Sequence, residues 1–319
     1  MTTLIVIVAV LGAGAVITLV GTVVIRWRHR PRGRFIDVGG LPQHVFEMGP
    51  SGATDAPPIV ALHGAGSNLE DMRLALGDKL AARHRVIFVD RPGAGFSARK
   101  AGQASPPSEQ AAVLREVLRA LGIDRPIIVG HSWGGTLALA FALDFPQHAA
   151  GLVLIAPPAY PGLWRLGWLS ALLAGPLGWL FACTLAFPFG AALIWPGSRT
   201  AFLPQIIPPG YLKHAAAMLA LRPWALMANW ADVGCLERFL AREAKRYGTL
   251  GVPTMLLVGD CDTVVPPANH GEKLAAATPQ VKLIEMSGYG HMLHHAAADR
   301  VIAAVEEIAR AKSDVATSA

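Results

Sequence analysis

The segment PIIVGHSWGGTLALAFAL, residues 126–143, decides how the chain is read. Its first part is a short apolar run of the kind that forms a buried strand. Its last part is apolar around a whole helix, and between them stands Gly130-His131-Ser132-Trp133-Gly134. A serine hydroxyl is a weak nucleophile at its resting pKa and needs exposure, a base and stabilisation of the anion it creates. A sharp strand-to-helix turn supplies the exposure. Gly130 and Gly134 leave room for a strained backbone, and a helix starting near Trp133 aims its positive end at the developing charge. Ser132 is therefore the expected nucleophile.

Outward from this turn the same alternation repeats. PIVALH (58–63), RVIFVD (85–90), GLVLIA (151–156) and PTMLLVGD (253–260) are short Val- and Ile-rich runs bounded by turn residues, and 69–83, 108–121 and 133–145 carry apolar residues at helical spacing. The pattern predicts an α/β fold, a mostly parallel sheet flanked by helices. RFIDV and QHVFEM, around Gly39-Gly40-Leu41-Pro42, predict an antiparallel hairpin; VKLIEM predicts a last strand and 296–311 a closing helix. Between Pro157 and Arg246 no strand is evident, so an inserted helical cap over 158–246 divides a core of 35–157 and 247–312, with a tail at 313–319.

A nucleophilic serine requires a base, and Ser-Gly-Tyr-Gly-His291-Met follows the last strand. His291 is the expected base; His294 and His295, one turn further on, are expected to have structural, solvent-facing roles. The orienting acid should follow the penultimate strand, where VGDCDTVVP offers two carboxylates. Asp262, three residues past Gly259, is expected to reach the imidazole and Asp260 to cap the turn. An acid after the preceding strand is closed off, because no Asp or Glu stands between Asp144 and Asp232. The oxyanion hole needs two backbone donors, assigned to Trp133 N–H and to Ala65 N–H in His63-Gly64-Ala65-Gly66.

HGAGSN, DRPGAGFS, GHSWGG, VGDCDTVVP and GYGHMLHH, in this order and at these intervals, resemble the α/β-hydrolase fold superfamily of serine esterases and lipases over residues 35–310, excepting the cap. The resemblance implies a triad of Ser132, Asp262 and His291, with Ala65 and Trp133 at the anion site. It also implies a structural loop at DRPGAGFS in which Asp90 bonds the turn. Dehalogenases and epoxide hydrolases of this fold carry an Asp at the elbow, where this chain has Ser132. C–C hydrolases, peroxidases and acyltransferases use the same parts, and a catalytically silent protein that binds lipid or a partner is the reading from another class. The motifs do not separate these. No cofactor or metal is implied.

The remaining signal is in the composition. Of 319 residues 53% are hydrophobic and 16% charged, and LIVIVAVLGAGAVITLVGTVVI, residues 4–25, holds no charge. A helix of this length crosses a hydrocarbon core of about 30 Å. The small residues at Ala13-Gly14-Ala15 suit a cleaved signal, but the run exceeds a signal's apolar region and no Lys or Arg precedes it, so residues 1–25 are expected to be a retained anchor. The formal charge of +6 has a local origin: five of the 28 basic residues stand in the linker 26–34 at Arg26, Arg28, Arg30, Arg32 and Arg34, and the other 23 face 22 acidic ones. The body carries no basic excess for nucleic acid. The linker places the body of the chain on the cytoplasmic side, with Trp27 at the headgroups. Such an anchor before such a domain is similar in architecture to membrane-bound monoacylglycerol lipases. The cap around Trp164, Trp168, Trp179 and Trp195 favours a lipid ester as substrate. Leu166–Trp195 is uncharged but interrupted by Pro176 and Pro188, which predicts short lid helices on the core or in the interface rather than a second span. Cys183, Cys235 and Cys261 have no metal-ligand spacing, and Cys261 is expected to be inert packing.

Overall fold

The computed structural model describes residues 1–50, 56–100, 103, 105–163 and 167–317. Eight strands form one sheet: β1 (Arg34–Val38), β2 (Leu41–Met48), β3 (Ile59–Leu62), β4 (Val86–Val89), β5 (Ile127–His131), β6 (Gly151–Ile155), β7 (Thr254–Gly259) and β8 (Val281–Met286). Their spatial order is β1-β2-β4-β3-β5-β6-β7-β8; β2 pairs antiparallel with β1 and β4, and every other pair is parallel. β3, β5, β6 and β7 are buried along their whole length, which is why their sequences are continuous apolar runs without alternation.

The helices are α1 (Thr2–Arg28), α2 (Leu69–Ala81), α3 (Pro107–Ala120), α4 (Trp133–Asp144), α5 (Gly167–Leu173), α6 (Pro176–Thr184), α7 (Ala186–Phe202), α8 (Tyr211–His214), α9 (Pro223–Glu243), α10 (Gly271–Ala277), α11 (Leu293–Ala296) and α12 (Ala298–Thr317). α3, α4, the end of α9 and α10 cover one face of the sheet; α2, α11 and α12 cover the other. α4 is buried nearly throughout, which explains its lack of a polar side. Asn68 starts α2 by accepting the Glu70 N–H at 3.0 Å.

The helices α5 to α9 lie between β6 and β7 and form the cap. Pro188 does not divide this run as its position in the sequence suggests. It sits in the first turn of α7, where a missing N–H costs little, and α7 extends over 17 residues. Trp164 lies outside the described residues, as does the side chain of Trp168.

α1 is the one described helix long and apolar enough to cross a bilayer by itself. It is not isolated from the rest of the chain. Gly14, Thr18, Thr22 and Ile25 form a buried face at helical spacing. Thr18 Oγ1 donates to Thr184 O at 3.2 Å, and a Cβ at Gly14 or Gly21 would overlap Thr184 or the Phe187 ring. Small residues here let α1 approach α6 and α7 closely.

Candidate active site

Ser132 occupies the turn from β5 into α4 at φ 51° and ψ −123°, a strained conformation for a residue with a side chain. The glycines around it are dictated by packing: a Cβ at Gly130 would collide with Gly134 O, and one at Gly134 with Leu62 O. His291 follows β8, and its Nδ1 lies 2.7 Å from Asp262 Oδ2, both groups being buried. With Nδ1–H donating to the carboxylate, Nε2 is the free acceptor of the ring. Ser132 and His291 line one cavity of about 350 Å³ with Ala65 and, from α7, Ile194, Ser198 and Phe202. Among the described residues Ser132 Oγ has no hydrogen bond, to His291 or to any other group.

Asp262 carries a second duty expected of its neighbour. Its Oδ1 accepts the N–H groups of Val264 and Val265, each at 2.8 Å, so Asp262 caps its own turn. Asp260 instead accepts Ser287 Oγ–H at 3.0 Å and Gly288 N–H at 2.7 Å on the loop after β8. Cys261 is exposed rather than packed.

Trp133 N is the first amide of α4 and has no partner within the helix. Ala65 lies exposed in the loop after β3. Beneath that loop is Arg91, which sequence reasoning passed over. Its Nε donates to His63 O and its Nη2 to Gly64 O, both at 3.1 Å, and its guanidinium stands 4.3 Å from the Trp133 ring centre. One buried cation thus ties the loop holding Ala65 to the turn holding Trp133. Asp232, from α9, pairs with Arg91 at 3.0 Å and also with Arg99. Burial, reinforced by the Arg91 charge, pushes the His63 imidazole down to about 4, so it is neutral and its Nε2 accepts the Arg91 N–H at 3.1 Å. As the resemblance implies, Asp90 is a turn-bonding group: it accepts Leu69 N–H and Phe96 N–H and faces His44 Nδ1 at 2.7 Å.

His294 and His295 are not solvent-facing. His294 is fully buried, and the two imidazoles converge on Asp71, at 3.0 Å and 2.7 Å. Tyr211 of the cap donates to the same carboxylate at 2.8 Å. Burial acts to raise the Asp71 carboxyl, but His294 and His295 outweigh it and hold it well below the usual carboxylate range. The sequence pointed to His294 and His295 but not to Asp71, in the first turn of α2, as the group that joins them. His131 Nε2 lies 3.2 Å from His291 O, which anchors the backbone of the imidazole; burial and the adjacent His294 and His291 keep His131 neutral. Asp71, His131 and His294 each offer a ligand atom within 4.8 Å of the others, but both Asp71 oxygens already accept hydrogen bonds from His294, His295 and Tyr211. A metal there would have to displace these bonds.

The family model described as alpha/beta hydrolase fold matches residues 57–298. The magnesium-chelatase 30 kDa subunit of Rhodobacter capsulatus is 29% identical over 279 residues, 86% of this chain and 93% of that protein. Haloalkane dehalogenase 2 of Mycobacterium tuberculosis is 26% identical over 298 residues, 88% and 93% of the two chains. The solved structure of a thermophilic esterase from Thermogutta terrifontis superposes with a TM-score of 0.65 at 22% identity, covering 87% of this chain and 98% of that one. The sheet order, the strained serine turn and the full-length likeness to these proteins agree, and the chain belongs to the alpha/beta hydrolase family.

Proposed function

We propose that the protein is a membrane-anchored serine hydrolase that cleaves carboxylic esters of lipids, monoacylglycerols among them, with its catalytic body on the cytoplasmic side. The observation that carries the chemistry is the His291–Asp262 pair facing the cavity in which Ser132 stands on its strained turn. In this reading Ser132 Oγ attacks the ester carbonyl carbon as His291 Nε2 takes the hydroxyl proton, and the amides of Ala65 and Trp133 hold the resulting oxyanion. The C–O bond to the alcohol breaks as His291 returns the proton to it. Water, deprotonated by the same imidazole, then attacks the acyl-enzyme, releasing the acid and regenerating Ser132. An Asp in place of Ser132 would serve the dehalogenase alternative; the serine favours acyl transfer.

The lipid half of the proposal rests on how α1 meets the cap. From Arg26, at the end of the apolar run, back to Gly14 is about 18 Å of helix. Thr184, at the end of α6, meets α1 at Gly14 and Thr18. α7 then leaves at 77°, with Phe187 against Gly21, and with Ala191 and Ile194 in the cluster around Ile25. If α1 spans a bilayer, this corner lies more than halfway into a core of about 30 Å. Leu166 to Ser198 carries no charged residue, Leu177, Leu180, Phe189 and Leu193 are exposed, and the corner amides of Leu185 and Phe189 are hydrogen-bonded within the chain. α7 also walls the cavity of Ser132, which gives an acyl chain a route from the bilayer without passing through water. A p-nitrophenyl ester series tests the reading. Octanoate should be cleaved at least tenfold faster than acetate, with no turnover by Ser132→Ala; a preference for acetate contradicts the lipid assignment, and turnover by Ser132→Ala the chemistry.

A further inference from the structure

A second cavity, about 800 Å³, lies away from Ser132, between the end of α1, the loop after β4 and the cap. Among the described residues its ionic side chains are Arg26, Arg99, Lys100 and Arg222, and no acidic one lines it. Arg99 is paired with Asp232, which it shares with Arg91. Arg222 is not: it is 2% exposed, and among the described residues its hydrogen bonds go to the carbonyls of Leu219 and Gly95, with no carboxylate paired to it. Two cations approach the Trp224 ring, Arg222 at 5.2 Å and Arg26 at 5.9 Å from its centre. Burial, opposed by Asp90 and aided by Arg26, pushes the Arg222 guanidinium down to about 10. A buried cation beside another, without a paired carboxylate, is an arrangement that a bound anion stabilises. Besides Ser97 and Gln103 the rest of the wall is apolar, with Pro176 and Trp179 from α6 and Met227 from α9.

We infer that this cavity binds an amphiphilic anion, its phosphate head between Arg222, Arg26 and Lys100 and its chain along Trp179 and α6, and that the occupant is an anionic lipid of the membrane in which α1 sits. Arg26 ends the apolar run of α1, so the cavity lies at the depth where lipid headgroups begin, and Pro176 brings the start of α6 to the same level. A bound headgroup would tie α1, the loop after β4 and the cap together at one point. Only the source of the ligand rests on the membrane-anchored reading; the site itself requires neither a spanning α1 nor a reactive Ser132.

The test is native mass spectrometry of the full chain in dodecyl maltoside, titrated with dodecyl phosphate, which has no carboxylic ester to cleave. One molecule should bind per chain. Both Arg222→Gln and the double variant Arg26→Gln/Lys100→Gln, whose two positions are exposed, should weaken it at least tenfold, while Ser132→Ala leaves it unchanged. Dodecylphosphocholine and inorganic phosphate should each bind at least tenfold more weakly than dodecyl phosphate. Undiminished binding by the double variant overturns the site. Equal binding of dodecylphosphocholine reduces it to an apolar groove and overturns the anion assignment, and equal binding of inorganic phosphate overturns the lipid one. An anchor that is washed from membranes by carbonate, with dodecyl phosphate still bound at the same affinity, would contradict the membrane reading while leaving the site intact.

Discussion

Arg91 shows how much of the site depends on a residue that reacts with nothing. Its guanidinium holds the His63 and Gly64 carbonyls and lies over Trp133, so it sets the separation of the two amides assigned to the oxyanion. Arg91→Met should lower kcat by about ten- to a hundredfold with little change in KM, since a misplacement of about 1 Å costs that much; steady-state kinetics at saturating ester checks it. Asp232 keeps Arg99 as a partner in that variant, which avoids an orphaned buried charge. The buried histidines make a pH prediction. Folded His63 stays neutral until about pH 4, whereas in the unfolded chain it protonates near 6.5, so its contribution to stability is complete above pH 6.5 and is lost as pH falls toward 4. His131, His270 and His294 are shifted in the same direction, and His44, raised by Asp90, opposes them. From pH 7 to 5, His63 alone costs about 2 kcal/mol of stability. Denaturant midpoints at the two pH values should differ accordingly, and equal midpoints contradict the assignment. The placing of Ser132, Asp262 and His291 in the turns that follow β5, β7 and β8 was legible in the sequence, because a short strand run precedes each turn. Arg91 and Asp71 were not, because their partners lie far along the chain: Asp71 meets His294 across 223 positions.

At the scale of elements, β3 to β7 were legible because burial on both faces leaves no polar alternation to confuse their period, and the helices from 69, 108 and 133 lie within a residue or two of the expected starts. The cap was legible only as an interruption. Its run is apolar on every side, so no polar face orients α6 and α7; their bend and their docking on α1 are set by tertiary contact. The contact does leave a trace in retrospect, in the spacing of Gly14, Thr18 and Gly21 along an otherwise bulky helix. Filling it should separate the elements. Gly14→Leu should destabilise the α1–cap contact by about 1–3 kcal/mol, seen as faster proteolysis of the cap in detergent, whereas Gly12→Leu, at a position with open space, should leave the pattern unchanged. Equal proteolysis of the two variants contradicts the docking of α1 on the cap.

For the whole molecule, the proposed reading joins a hydrolase core to a bilayer through two contacts, α1 and the corner of α6 and α7. The orientation can be read from a native thiol. Cys261 is exposed beside Asp262, and with the body on the cytoplasmic side a membrane-impermeant maleimide should label it in inverted vesicles and not in sealed right-side-out ones, the signal disappearing in Cys261→Ser. Labelling from the opposite side would reverse the topology. The proposed chemistry stands on Ser132 as the nucleophile and His291 as its base. Treating purified full-length protein with a fluorophosphonate and mapping the adduct by peptide mass spectrometry probes both at once. One adduct is expected on Ser132, none in Ser132→Ala, and a rate at least a thousandfold lower in His291→Ala; a wild-type protein that stays unmodified at Ser132, or a His291→Ala protein that reacts at the wild-type rate, would contradict the assignment.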